Sequence, residues 1–210
     1  MQQISRRYLV SAGIMSGLMI AGAATAAARA LTPPGTEGPF YPDRLPLDTD
    51  NDLVKVGANG KAAAGEVFHL SGRILNRDGT PYTGFVVEIW QCDANGIYLH
   101  SGDTGRRRFD PNFQGFGTAV TRANGSYRFR TIKPVSYPGR TPHIHFKEKA
   151  PNRREFTSQM YIAGHPGNDS DFLYRRLGGP AAKNAASVAL FPAPELEPGA
   201  VKGTFDIVLS

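Results

Sequence analysis

What most constrains this chain is the shortness of its apolar runs and the turn chemistry that ends them. Runs of five to ten residues, over 66–75, 84–91, 116–122, 126–131, 143–147, 158–162 and 204–209, are separated by polar punctuation. Asp78-Gly79, Asp93-Ala-Asn-Gly96 and Ala123-Asn124-Gly125 are tight-turn signals, because glycine and asparagine reach backbone conformations that close a reversal. With 24 Gly and 16 Pro in 210 residues, long helices are excluded and short strands are expected. In residues 66–75, Val67 and His69 fall on one side and Phe68 and Leu70 on the other, a period of two. The run 84–91 is apolar on both faces apart from Glu88. The expectation is all-β: an antiparallel β-sandwich of about seven or more short strands, with long loops carrying the functional groups. The turn at 123–125 predicts a hairpin joining 116–122 to 126–131. A turn or two of helix is expected over 171–177, and at most weak helix over 181–189.

Length predicts one domain with extensions. Residues 1–30 read as a removable export signal: Ser5-Arg-Arg-Tyr-Leu-Val10 is a twin-arginine pattern, an Ala- and Gly-rich apolar run follows, and Ala28-Arg-Ala30 offers a small-x-small cleavage site. The membrane contact this implies is transient, made through the signal and its export machinery, with a periplasmic or extracellular destination. Residues 31–65, rich in Pro, Gly, Asp and Asn, read as an extended arm, and 66–210 as the sandwich domain. Of the formal charge of +6, Arg6, Arg7 and Arg29 supply three units against no acid in the first thirty residues, leaving about +3. That is too little to argue for nucleic acid, and Arg106-Arg-Arg108 reads as a solvated loop. The single cysteine, Cys92, permits no intrachain disulfide and reads as a small buried hydrophobe. Oligomeric state is not legible.

The chemistry concentrates in Tyr137-Pro-Gly-Arg-Thr-Pro-His-Ile-His-Phe146. On a strand, His143 and His145 share one face about 6.6 Å apart, while Ile144 and Phe146 point the other way. Tyr137, and Tyr98 at the end of Trp90-Gln-Cys-Asp-Ala-Asn-Gly-Ile-Tyr98, are candidate partners. Two imidazoles and two phenolates make an N₂O₂ set suited to a ferric ion, since a bound cation drives a coordinating phenol to its anion. A zinc or ferrous site usually adds a carboxylate, and the nearest acid, Glu148, is three past His145 and therefore on the opposite strand face. A secreted β-sandwich ligand-binding module without catalysis is the alternative class. It has no use for a tyrosine pair beside His-x-His.

Several motifs, in order, resemble the intradiol ring-cleavage dioxygenases. They are Thr36-Glu-Gly-Pro-Phe-Tyr41, Gly72-Arg-Ile-Leu-Asn-Arg-Asp-Gly-Thr-Pro81, Val87 through Tyr98, Asp110 through Gly117, Gly125 through Pro134, Thr141 through Phe146, and Ser158-Gln-Met-Tyr161. The resemblance implies a non-haem Fe(III) centre held by Tyr98, Tyr137, His143 and His145. It implies that Arg140 and Gln159 stabilise a bound catecholic substrate, and that Tyr137 leaves the metal to take a substrate proton. With O₂ as cosubstrate, the ring opens between its two hydroxylated carbons to a cis,cis-muconate-type product. Only five residues separate Tyr137 from His143, fewer than in many relatives, which points to a more open site. Trp90 reads as core, Glu88 and Tyr161 as structural, and His69, His100 and His165 as non-ligands.

Overall fold

The computed structural model describes residues 28–57, 60–103 and 108–210. The twin-arginine pattern, and Arg106 and Arg107 of the basic run, lie outside the described residues. The described chain is a β-sandwich. One sheet contains β1 (Val67–Asn76), β4 (Ser126–Ile132), β8 (Phe191–Pro192), β9 (Val201–Thr204) and β10 (Ile207–Leu209). The other runs β3 (Phe116–Val120), β2 (Val86–Trp90), β5 (His143–Lys149), β6 (Phe156–Ile162), β7 (Ser187–Val188). Between β6 and β7 lie a 3₁₀ turn (Pro166–Ser170) and two short helices, α1 (Phe172–Arg175) and α2 (Pro180–Ala185). No described helix is long and apolar enough to cross a membrane.

Alternation sorts the side chains. Phe68, Leu70 and Ile74 of β1, Phe129 of β4, Val87 and Ile89 of β2, Ile144 and Phe146 of β5, and Met160 of β6 meet in the core between the sheets. Each such side chain contributes about 1.5–3 kcal/mol by leaving water. The arm packs on its own sandwich and reaches that core, with Leu53 and Val54 fully buried.

Three expectations change. The sheets are mixed rather than purely antiparallel: β1 pairs in parallel with β9 and β10 from the far end of the chain, and β6 with β7, to which the chain returns through the helical segment instead of a hairpin. The predicted hairpin is also absent. Its turn forms, with Gly125 N donating to Arg122 O at 2.8 Å, yet β3 pairs with β2 while β4 pairs with β1. Buried Thr121 is where the chain leaves one sheet for the other, its hydroxyl donating to Tyr82 O and accepting from Phe85 N.

Residues 204–209, read as one strand, are two. Between β9 and β10, Phe205 bulges toward β1, donating its N–H to Ser71 O at 2.8 Å. Its carbonyl accepts the buried Tyr127 hydroxyl at 2.6 Å. Only glycine permits this at position 72, where an added Cβ would sit 1.8 Å from Phe205 O.

Candidate active site

The outer face of the second sheet carries the chemistry. Register sets Trp90, His145 and Gln159 side by side across β2, β5 and β6, with His143 opposite Tyr161 one step along. An outward sheet face would ordinarily be wet. Here Phe40, Tyr41 and the loops after β2 and β4 cover it, forming a second apolar cluster with Trp90, Cys92, Tyr98 and Phe116. Trp90 stacks on the His145 ring at 4.9 Å and 14°, so it is a wall of the site as well as core. Burial pushes the Cys92 thiol up to about 12, which keeps it an inert apolar filler.

Turn chemistry aims the two tyrosines. After β2, Asp93 Oδ1 accepts from Asn95 N at 2.8 Å and Ile97 N at 3.0 Å, and Gly96 takes φ +79°. Asp103 Oδ2 then accepts Tyr98 N at 2.8 Å, fixing the backbone where the phenol departs. A Cβ on Gly96 would lie 3.2 Å from that of Tyr137, so the two tyrosine loops pack on each other. Tyr137 opens a tight reversal over Pro138-Gly139, with Arg140 N donating to Tyr137 O at 2.9 Å and Gly139 at φ +80°. This turn accounts for the short spacing between Tyr137 and His143.

Four donor atoms converge. His143 Nε2 is 3.2 Å from His145 Nε2, 3.3 Å from the Tyr98 hydroxyl and 3.4 Å from the Tyr137 hydroxyl. A carbonyl only accepts, so the 2.7 Å contact of His143 Nδ1 with Thr141 O puts the proton on Nδ1 and a lone pair on Nε2. Burial, reinforced by the Arg140 charge, brings His143 down to about 4. Burial and the neighbouring His143 and Arg140 push His145 well below its ordinary value. Burial and neighbouring Tyr137 raise Tyr98 well above a phenol's usual range. Burial raises Tyr137 as well, with Tyr98 and Arg140 opposing. With all four groups neutral, two imidazole nitrogens and two phenol oxygens crowd around one point. A cation there would relieve the crowding, and the donor set fits a hard ferric ion. No group of three or more His, Cys, Asp or Glu among the described residues could hold a metal, so a site here depends on the tyrosines.

Arg140 and Gln159 adjoin this cluster. Arg140, its side chain 10% exposed, donates from Nη2 to Gln159 Oε1 at 2.5 Å and from Nη1 to the Tyr137 hydroxyl at 3.5 Å. Gln159 Oε1 also accepts the Tyr161 hydroxyl at 2.9 Å, and its Nε2 donates to Thr36 O at 3.0 Å. All six residues singled out in the sequence therefore meet in one place. Glu88 is structural, bound by Tyr41 and Lys149. His69 lies on β1 in the other sheet, His100 accepts Gly102 N, and His165 caps the 3₁₀ turn. The sequence reading missed Asp171, whose buried carboxylate accepts Arg140 Nε at 2.9 Å. The only local signal was a helix-capping aspartate ahead of Phe-Leu-Tyr.

Comparison with known proteins gives this geometry a context. A family model described as Dioxygenase matches residues 36–210, starting inside the segment read as an arm. The chain is 37% identical over 169 residues to the protocatechuate 3,4-dioxygenase beta chain of Burkholderia cepacia, covering 76% of this chain and 71% of that one. It is 30% identical over 161 residues to a catechol 1,2-dioxygenase of Acinetobacter baylyi, covering 68% of this chain but only 50% of the relative. Among solved structures, the dioxygenase domain of a dioxygenase carbohydrate-binding protein fusion from Streptomyces sp. SirexAA-E superposes with TM-score 0.63 at 33% identity, over 86% of this chain and 98% of that domain. An intradiol ring-cleavage dioxygenase from Tetranychus urticae shares the fold at TM-score 0.65 and 24% identity, over 85% and 93% of the two chains. The matched span, the sandwich and the motifs around the clustered His and Tyr side chains agree: the chain belongs to the intradiol ring-cleavage dioxygenase family.

Proposed function

We propose that this protein is a non-haem Fe(III) dioxygenase that opens a catecholic ring between its two hydroxylated carbons with O₂, giving a cis,cis-muconate-type product. The convergence of His145 Nε2 and two phenol oxygens on His143 Nε2, at 3.2–3.4 Å, carries the reading. Tyr98, Tyr137, His143 and His145 would hold the iron, which supplies the Lewis acidity that lowers the pKa values of a chelating catechol. The names of the relatives point to a dihydroxylated or trihydroxylated benzene as substrate. Residues 1–30 would direct export by the twin-arginine route to the periplasm or beyond.

The chain's own groups have distinct tasks. His143 is held by Thr141 O with its Nε2 presented, and Trp90 stacks flat on His145 to fix that ring. Tyr98 is deeply buried, whereas Tyr137 is only partly so and stands on a two-residue turn. Tyr137 would thus be the phenolate that takes a substrate proton at its hydroxyl oxygen, with Arg140 Nη1 beside it at 3.5 Å. Arg140 keeps further N–H groups for electron density developing on the ring. Gln159 Oε1 is already occupied, so its contribution to substrate is one amide N–H and the alignment of Arg140.

The test is a visible spectrum with metal analysis on the same purified sample, before and after catechol. The expected result is one iron per chain, a tyrosinate-to-iron band that shifts on adding catechol, and O₂ uptake with ring opening. A protein that stays colourless after ferric reconstitution would overturn the reading in favour of a binding module.

A further inference from the structure

Asp171 is buried in the segment between β6 and β7, far in sequence from the metal-site motifs, and both of its oxygens are fully engaged. Oδ2 accepts Arg140 Nε and Thr141 N, each at 2.9 Å. Oδ1 accepts Leu173 N at 2.9 Å and Tyr174 N at 3.0 Å, capping α1. The side chain is 0% exposed. Burial alone would favour the neutral acid, but the Tyr174 and Thr141 N–H groups and the Arg140 guanidinium outweigh it and hold the carboxyl below its ordinary range. One carboxylate therefore joins three things: the start of α1, the backbone two residues before His143, and the guanidinium of Arg140.

The planarity of the guanidinium makes this joint directional. Asp171 takes Nε and Gln159 takes Nη2, so one edge of the plane is pinned at two points. The remaining edge, Nη1, is the one that faces the Tyr137 hydroxyl. The next residue, Phe172, lies with its ring centroid 5.8 Å from the carbon of the Arg140 guanidinium, limiting its exit toward solvent. Rotating Arg140 away would break a buried ion pair and strand both charges.

We propose that Asp171 is a positioning residue for the reaction, touching no substrate and acting on the site only through Arg140. This rests on the reading that Arg140 faces a bound catechol. A helix cap with no such role would affect stability alone, so the two are separated by a double-mutant cycle on the iron-loaded full chain with Asp171→Asn and Arg140→Ala. Asparagine keeps the shape and one capping oxygen while removing the charge. Catechol turnover gives kcat/KM, and the visible shift with 4-nitrocatechol without O₂ gives the dissociation constant of an analogue that is not turned over.

In the native background, Asp171→Asn should lower kcat/KM and weaken analogue binding by roughly 10- to 100-fold, with iron content and the resting visible band retained. In the Arg140→Ala background the same substitution should change either by less than about twofold. Equal losses in both backgrounds, or no loss in the native one, overturn the proposal. If the asparagine variant does not fold, Asp171→Glu, which keeps the charge but displaces it by a methylene, is read through the same cycle with the same criteria. Failure of the catechol reading is separately visible: the unmodified protein would then show no shift with 4-nitrocatechol.

Discussion

A phenol surrounded by apolar side chains and two neutral imidazoles keeps its proton, and the site holds two such phenols with their oxygens facing one histidine nitrogen. Coordination of a trivalent cation would reverse that preference, and the tyrosinate-to-iron charge transfer of the proposed centre would make each phenolate visible. Tyr98→Phe and Tyr137→Phe should therefore each shift or weaken the visible band. Tyr98→Phe should also weaken iron retention more, because Tyr98 is the more deeply buried of the two. His145→Ala should lower iron affinity at least about tenfold. Dialysis against a chelator followed by metal analysis checks the retention, and spectra unchanged in both tyrosine variants would remove them as ligands. His143 and His145 were legible because they share one strand face and Tyr137 because it stands just before them, whereas Tyr98 was a distant candidate secured by the family resemblance and Arg140 entered through that resemblance alone. Asp171 was not legible, since its bond to Arg140 spans 31 positions and its one local signal, a helix cap, says nothing of Arg140.

At the scale of elements, turn chemistry was readable while strand pairing was not. Ala123-Asn124-Gly125 does form its turn, but a turn specifies only a local reversal. Which sheet each flanking strand enters is decided by the faces it must bury, and those faces send β3 to β2 and β4 to β1. The bulge at Phe205 was equally hidden, because its determinant is a glycine on β1, 133 positions before Phe205 itself. It is testable through that glycine. Gly72→Ala would force a methyl to within 1.8 Å of the Phe205 carbonyl and 2.8 Å of the Tyr127 hydroxyl. The backbone would have to shift, opening the 2.6 Å bond from Tyr127 to Phe205 O. The expected loss is about 3 kcal/mol or more, seen as a lower urea midpoint. The adjoining Ser71→Ala, which loses an exposed hydroxyl pair with Thr204 and a long 3.5 Å bond to Gly203 O, should cost less than about 1 kcal/mol. Comparable losses in the two variants would mean that close approach at position 72 is not what shapes this edge.

At the scale of the whole molecule, the segment before β1 is tied to the sandwich by charge as well as by Leu53 and Val54. Arg130 on β4 donates from Nη1 to Asp52 at 2.8 and 3.1 Å, and from Nε and Nη2 to Glu197 at 2.9 and 2.6 Å. One guanidinium thus joins the N-terminal arm, the first sheet and the loop before β9, with the His69 ring 3.4 Å from Glu197 on the same surface. The hydrogen bonds from Arg130 hold the Glu197 carboxyl below its ordinary value of 4.5, burial opposing and the Arg130 and His69 charges assisting. The folded pKa is the lower one, so the unfolded chain binds the proton more readily. The stabilisation is therefore complete above about pH 4.5 and is lost as pH falls through the folded value. Arg130→Met keeps the aliphatic length and removes the pairing. Both acids are partly exposed and rehydrate, which limits the loss at pH 7 to about 1–2 kcal/mol. Urea unfolding of the two proteins at pH 7, 5 and 3 should show a gap that stays nearly constant from pH 7 to 5 and narrows by pH 3. A gap independent of pH would mean that Arg130 stabilises the arm through packing of its alkyl stem, and not through the two carboxylates it bridges.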